Sequence, residues 1–278
     1  MRRWLATSAR ELEATRPVSP LTIVVAVLVA ATWLLLLWAW LFTRPWLDPM
    51  LAALGGIVGS TFVASIAGLA LQLPILLGLG RLALRDVGLS ARSLFGGLAV
   101  VLAVWVVVQG ILAAAALIHG DGIALASDVD RLHARLLVDQ VAGNALSEEV
   151  FYRGFLLVQL VVLARRFTTP RAAWIAGFLA SQLIFGLSHL PQRWIVMDLH
   201  GVPLVVNIAS TVGFGIVYGI LYVRTGMLGV AIGFHALQNL PFAIVESPLE
   251  PALLYAGALL FVLLAWPVTE RWRTVRIS

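Results

Sequence analysis

The sequence contains no cysteine and no lysine. The first absence removes disulfides, thiol nucleophiles and cysteine metal sites. Charge of either sign is scarce. Charged residues make up 12% and hydrophobic residues 61%, against about 25% charged in ordinary soluble domains. With a mean hydropathy of +0.97, a soluble fold is excluded. Every basic residue is arginine, and the net charge is +5. The arginines are scattered between apolar runs and form no patch, which argues against nucleic acid as a partner. Three familiar proteolytic signatures are also missing. There is no His-Glu-x-x-His helix, no Gly-x-Ser-Gly nucleophile pattern and no pair of aspartates at membrane depth. No internal repeat, low-complexity tract or second domain is visible. Met1-Arg2-Arg3-Trp4 does not open a cleavable signal peptide, so the first apolar run is expected to be retained.

Long apolar runs are what the chain has in place of these features. A membrane-spanning helix takes about 20 mainly apolar residues. That template predicts an all-α, polytopic bundle of about eight spans. The first four lie near Leu21–Phe42, within Met50–Leu79, at Leu94–Ile118 and at Ala142–Leu163. The others lie near Ala172–Leu190, Leu204–Val223, Met227–Val245 and Ala252–Val268. Residues 1–20 and 269–278 are then a cytoplasmic N-terminal segment and C-terminal tail around a membrane domain at 21–268. Gly55, Gly56, Gly59 and Gly68 in the second span are expected to permit close helix approach. The long loop His119–Val141 is expected to hold a short interfacial helix over Asp128–Gln140, with Leu132, Leu136 and Leu137 on one side. A gate for substrate access is the functional alternative for that helix.

The arginines agree with this layout. Alternate loops should be rich in positive charge. One set of regions holds fourteen arginines, including Arg81, Arg85, Arg165, Arg166 and Arg224. The opposite set holds four: Arg44, Arg131, Arg135 and Arg193. The expectation is a bacterial plasma-membrane protein with both termini in the cytoplasm.

Arg153 belongs to neither set. It lies inside the fourth span, in Ser147-Glu148-Glu149-Val150-Phe151-Tyr152-Arg153-Gly154. Ionisable groups at membrane depth are costly and mark function by default. Glu149 and Arg153 are four residues apart, share a helix face and can neutralise each other. Glu148 points about 100° away and lacks that partner. Two later spans carry further polar residues out of place. The fifth ends with His189, and the seventh holds His235 and Asn239, again four apart. Depth estimates place all four side chains in the outer half of the bundle. A carboxylate there can act as general base on water. Imidazole and amide groups can hold that water or donate to an oxyanion. The same residues also offer a zinc set, Glu148, His189 and His235, with an open position for water. Both versions hydrolyse an amide, and the residues alone leave the choice open. Gln109, Gln182 and Asn207 read as interhelical hydrogen bonders, and His119, His133 and His200 as loop residues.

Glu148-Glu149…Arg153, Phe185…His189 and His235…Asn239 together resemble the CPBP family of CAAX prenyl endopeptidases and bacteriocin-processing enzymes, also called the Abi family. All three motifs are present in order, with the motif core at 142–245. The resemblance implies an intramembrane endopeptidase acting on membrane-associated proteins or peptides. It implies that Glu148 activates water, that His189 positions it, and that His235 and Asn239 form the oxyanion site. Glu149 and Arg153 then brace the helix, with Phe185 packed beneath the site. The family is often labelled metalloprotease, and a metal-free glutamate mechanism has also been argued for it. The outer position of the site favours membrane-anchored or exported peptides over CAAX proteins. The rival expectations are a non-catalytic scaffold or immunity protein, and a small proton-coupled transporter.

Overall fold

The computed structural model describes residues 15–41, 48–53, 55, 58–120, 122–126 and 131–275. Arg2, Arg3, Arg44, Gly56 and Asp128, all named above, lie outside the described residues. The described chain is helical, and its one strand-like feature is an isolated antiparallel bridge between Leu125 and Val245.

Eight main helices follow in order, and they match the expected all-α bundle. We name them α1 (Pro20–Leu41), α2 (Ser60–Leu79), α3 (residues 92–119), α4 (residues 131–164), α5 (Pro170–Ser188), α6 (Gly201–Thr225), α7 (Leu228–Asn239) and α8 (Pro251–Val275). Local chemistry sets several of their ends. Ser19-Pro20 and Thr169-Pro170 start α1 and α5. In each pair the hydroxyl accepts a backbone N–H of the first turn, and proline fills a position that has no N–H to spend. Gly120 and Gly226 stop α3 and α6 in left-handed conformations, with φ of 93° and 64°.

Among the described residues, five helices are long and apolar enough to cross a membrane: α1, α2, the run Leu84–His119 that contains α3, the run Pro170–Val196 that contains α5, and α6. Numerous leucines, valines and phenylalanines on their outer faces are exposed, as a lipid-facing surface requires. The fourth helix departs from a plain apolar span because Glu148, Glu149 and Arg153 sit within it. In the eighth, Pro251–Trp266 is an apolar helix shorter than such a span.

The seventh expected span is corrected. Its helix has 12 residues, about 18 Å of rise, against about 30 Å of hydrocarbon. Pro241 explains the stop. It disfavours a helical conformation at the preceding residue, and Leu240 turns to φ −137°, ψ 76°. The chain continues as an extended strap over residues 240–250. Ala126 N–H donates to the carbonyl of Ile244 (2.8 Å), and Glu246 N–H to that of Ala124 (3.0 Å). Gln109 completes the clamp from α3. Its amide nitrogen donates to Phe242 O (3.3 Å) and Tyr255 Oη (2.8 Å), and its oxygen accepts Ile244 N–H (2.8 Å).

Two further expectations change. The interfacial helix is not a separate element, because residues 131–138 run without a break into α4. Asp139, on that rod, is buried. Its carboxylate accepts Gly59 N–H at 2.7 Å, so it reaches the start of α2 instead of standing in a loop. The second span begins at Ser60, not among the earlier glycines. Gly55 lies outside it with a left-handed φ of 69°, and a Cβ there would meet nothing within 4 Å among the described residues. Gly68 does serve packing: a Cβ there would lie 2.7 Å from the Trp33 indole nitrogen.

The core forms around α4 and α7. α7 is buried continuously from Leu228 to Leu237, as a helix apolar on all sides must be. Gly97 and Gly229 let α3 and α7 touch backbone to backbone. Phe151, Phe155, Leu156 and Leu157 fill the other side of the core from α4.

Candidate active site

On α4 the backbone widens into π-type turns over Asp139–Ala145 and Val150–Leu157, with a regular turn, Leu146–Glu149, between them. Such widenings often accompany functional residues. The two glutamates leave this regular turn on different faces. Glu149 turns inward. Its Oε1 lies 3.0 Å from Arg153 Nη1, and both side chains are fully buried. Arg153 Nη2 also donates to the carbonyl of Gly215 (3.3 Å). The guanidinium carbon sits 4.0 Å above the Phe185 ring and 5.6 Å from that of Tyr218. Gly215 is required by this approach, since a Cβ there would lie 2.8 Å from the Phe185 ring.

Glu148 turns to a cavity of about 370 Å³. Its oxygens face two imidazoles across gaps too long for direct hydrogen bonds: 3.9 Å to His189 Nε2 and 3.8 Å to His235 Nε2. The Glu148 Oε2 atom is buried without a hydrogen-bond partner among the described residues.

The other nitrogen of each ring is already engaged. His189 Nδ1 lies 2.9 Å from the carbonyl of Phe185. His235 Nδ1 lies 2.8 Å from Glu149 Oε1. A carbonyl and a carboxylate only accept, so each Nδ1 carries the proton. When the rings are neutral, each Nε2 then presents a lone pair. One carboxylate and two lone pairs therefore surround the same small gap. Only a donor or a cation satisfies three acceptors, and a water molecule offers two O–H groups to them.

Sequence reasoning found six of the seven named residues in direct or one-step contact: Glu148, Glu149, Arg153, Phe185, His189 and His235. Asn239 also lines the cavity, one turn beyond His235, but its amide donates to Gln140 Oε1 at 2.9 Å. Three residues at the site escaped that reasoning. Tyr218 stacks on His235 with centroids 4.7 Å apart and planes at 16°. Gln140 holds Asn239. Arg193 lines the cavity, although in sequence it reads as a loop charge. Tyr218 carries no local signal, because it is one aromatic among many on an apolar helix. Its distance from α7 in sequence hides the contact.

The zinc set can be tested against these distances. The donor chemistry suits a metal, since both histidines have the second-nitrogen partners typical of metal ligands. The spacing does not suit it: bonds of ~2.1 Å in a tetrahedral site put neighbouring ligand atoms about 3.4 Å apart. Among the described residues, no group of three or more histidine, aspartate or glutamate side chains is placed to hold a metal ion.

An all-helical membrane protein with a carboxylate and two imidazoles around an interior cavity is thus defined by fold and site. Residues 132–241 match the family model described as type II CAAX prenyl endopeptidase Rce1-like. The match contains every residue of the site named above, and it shows the CPBP/CAAX-protease resemblance over that stretch. α1–α3 and α8 lie outside it. No curated protein matches the chain. No solved structure matches it either. The apolar helices and the match to a membrane-protease family over that stretch support an integral membrane protein.

Proposed function

We propose that the protein is an intramembrane endopeptidase in which Glu148 is the general base. The observation that carries this reading is the gap of 3.8–3.9 Å between the Glu148 carboxylate and the Nε2 atoms of His189 and His235. That gap suits one bridging water and no direct bond. Glu148 takes one proton from the water, and His189 Nε2 accepts a hydrogen bond from its other O–H. The water oxygen bonds to the substrate carbonyl carbon, whose electron pair moves to the oxygen. Asn239 Nδ2 is the amide donor available to that oxyanion once it turns from Gln140. His235 Nε2, 3.8 Å from Glu148, faces the same water beside His189. Glu148 then returns its proton to the leaving nitrogen as the C–N bond breaks. The products are a carboxylic acid and an amine.

No step in this scheme uses a metal. A zinc mechanism would draw on the same Glu148, His189 and His235, so metal analysis and chelation of the purified protein decide between the two. The arginine distribution supports cytoplasmic termini and an outward site, which favours membrane-anchored or exported peptides as substrates.

The test is cleavage of a membrane peptide by the protein in proteoliposomes. Glu148→Gln should insert normally and lose cleavage by at least ~100-fold, in the range typical of a general base. Undiminished turnover by that variant removes Glu148 as the base. Solute flux without peptide products would instead support a proton-coupled carrier.

A further inference from the structure

One wall of the cavity comes from α2, outside the family match at 132–241. Thr61, Ala64, Ser65, Gly68, Leu69 and Gln72 line it. Their spacing is that of one helix face, and α2 stays regular through Leu73. Gly59 N–H meets the Asp139 carboxylate, 80 residues on, and a Cβ on Gly143 would lie 3.0 Å from Phe62 Cα. α2 and α4 therefore run side by side in the same direction. That register sets Gly68 level with Glu148 and Gln72 level with Tyr152, one turn or about 6 Å past the reacting carboxylate.

Gln72 is 9% exposed, and its Oε1 is buried with no hydrogen-bond partner among the described residues. Two donors on the same cavity are spent elsewhere. Trp33 Nε1 donates to the carbonyl of Ala64 (3.2 Å), and the Tyr152 hydroxyl pairs with the Ser188 side chain. Ala30, Leu69 and Phe151, which also line the cavity, are apolar. A single water is a poor substitute there, because it needs about two to four polar partners of its own. A buried acceptor left unmet destabilises a fold, whereas an apolar side chain of the same shape does not. An orphaned amide oxygen beside a reacting carboxylate therefore calls for an explanation. The group that answers it is a neutral donor carried in by an otherwise apolar ligand. The backbone N–H of a peptide is such a donor.

We propose that Gln72 Oε1 accepts a backbone N–H of the substrate peptide and so holds the chain extended along the α2 wall, with the scissile bond at Glu148. This rests on the hydrolase reading of Glu148 and adds to it a positioning residue and a substrate class. The N–H lies within about two residues of the cleaved bond, since two extended residues span about 6.6 Å. The substrate must be unwound there, because a helix spends its own N–H groups on internal bonds. The contact reads main chain and not side chains, so it tolerates many sequences.

The experiment uses the full protein in proteoliposomes and one cleavable membrane peptide, made as a set in which a single backbone N–H at a time is replaced by an ester oxygen. The native protein should lose about 10-fold in KM for one replacement within two residues of the scissile bond, the range for a buried acceptor left unmet. In Gln72→Leu that replacement should cost nothing further, because the contact is already gone. The parent peptide should show the raised KM in that variant instead. The proposal is overturned if no replacement in that window raises KM in the native protein, or if the sensitive position stays equally sensitive in Gln72→Leu. Either result would leave Gln72 as a wall residue met by cavity water. Binding of the same set to Glu148→Gln, and to the double variant Glu148→Gln/Gln72→Leu, separates this claim from the hydrolase. A position-specific loss of binding seen only where Gln72 is present upholds the contact, even if the native protein cleaves nothing. Loss at no position, or at the same position in both, sinks the contact alone. Should Gln72→Leu fail to fold, Gln72→Met takes its place in both series.

Discussion

His235 binds Glu149 through Nδ1 at 2.8 Å while its Nε2 faces Glu148 at 3.8 Å. One ring therefore joins two adjacent glutamates with opposite tasks. Glu149 is shared between His235 and Arg153, so it sets the tautomer of the ring as well as bracing the helix.

Glu149→Gln should accordingly destabilise the protein more than Glu148→Gln does. The former leaves Arg153 as a buried charge without its carboxylate, a loss of about 3–5 kcal/mol for broken buried pairs. The latter alters a half-buried side chain that has no hydrogen bond to lose. Thermal unfolding in detergent should give a clearly lower Tm for Glu149→Gln and a near-native Tm for Glu148→Gln. Equal Tm values would mean that Glu149 is not the structural carboxylate.

A pair of glycines on α6 isolates the Arg153 shelf. Gly215→Ala puts a methyl group against Phe185 and near Arg153, whereas a methyl group at Gly213 meets nothing within 4 Å outside its own helix among the described residues. Gly213→Ala should be neutral or stabilising by up to ~1 kcal/mol, from helix propensity alone. Gly215→Ala should cost about 1–3 kcal/mol by overpacking and reduce cleavage by displacing the Phe185 ring. Denaturation and turnover measured on both variants check this, and similar behaviour of the two would refute the close approach.

Gln109→Leu should loosen the strap that follows Asn239. It leaves Ile244 N–H without its acceptor, at about 1–3 kcal/mol for a buried unsatisfied group. Hydrogen exchange over residues 240–246 should quicken, and cleavage should fall because the end of α7 is no longer held. Unchanged exchange there would show that Ala124 and Ala126 anchor the strap without help.

Most of the site was legible because its pairs are local. Glu149 with Arg153 and His235 with Asn239 are four residues apart, and helical spacing alone puts each pair on one face. The lengths of α1, α3, α5 and α6 follow from their apolar runs for the same reason. What remained hidden depends on contacts between distant segments. The helical spacing of His235 and Asn239 says nothing of Gln140, 99 residues away from Asn239 in sequence. The partner of Asp139 is the backbone N–H of Gly59 just before α2, so its placement in a loop followed from polarity alone. The early end of α7 was a local feature that was missed. Pro241 marks it, but the apolar residues on either side of that proline resemble a continuing span.

The short α7 has a mechanical consequence. Because protein encloses it on every side from Leu228 to Leu237, lipid never touches the rod that carries His235. Changes in acyl-chain length or fluidity press first on the outer helices, of which α1 and α2 form much of the wall of the cavity. Membrane composition should therefore tune how easily a peptide arrives, while the imidazole at the hub keeps its bearing.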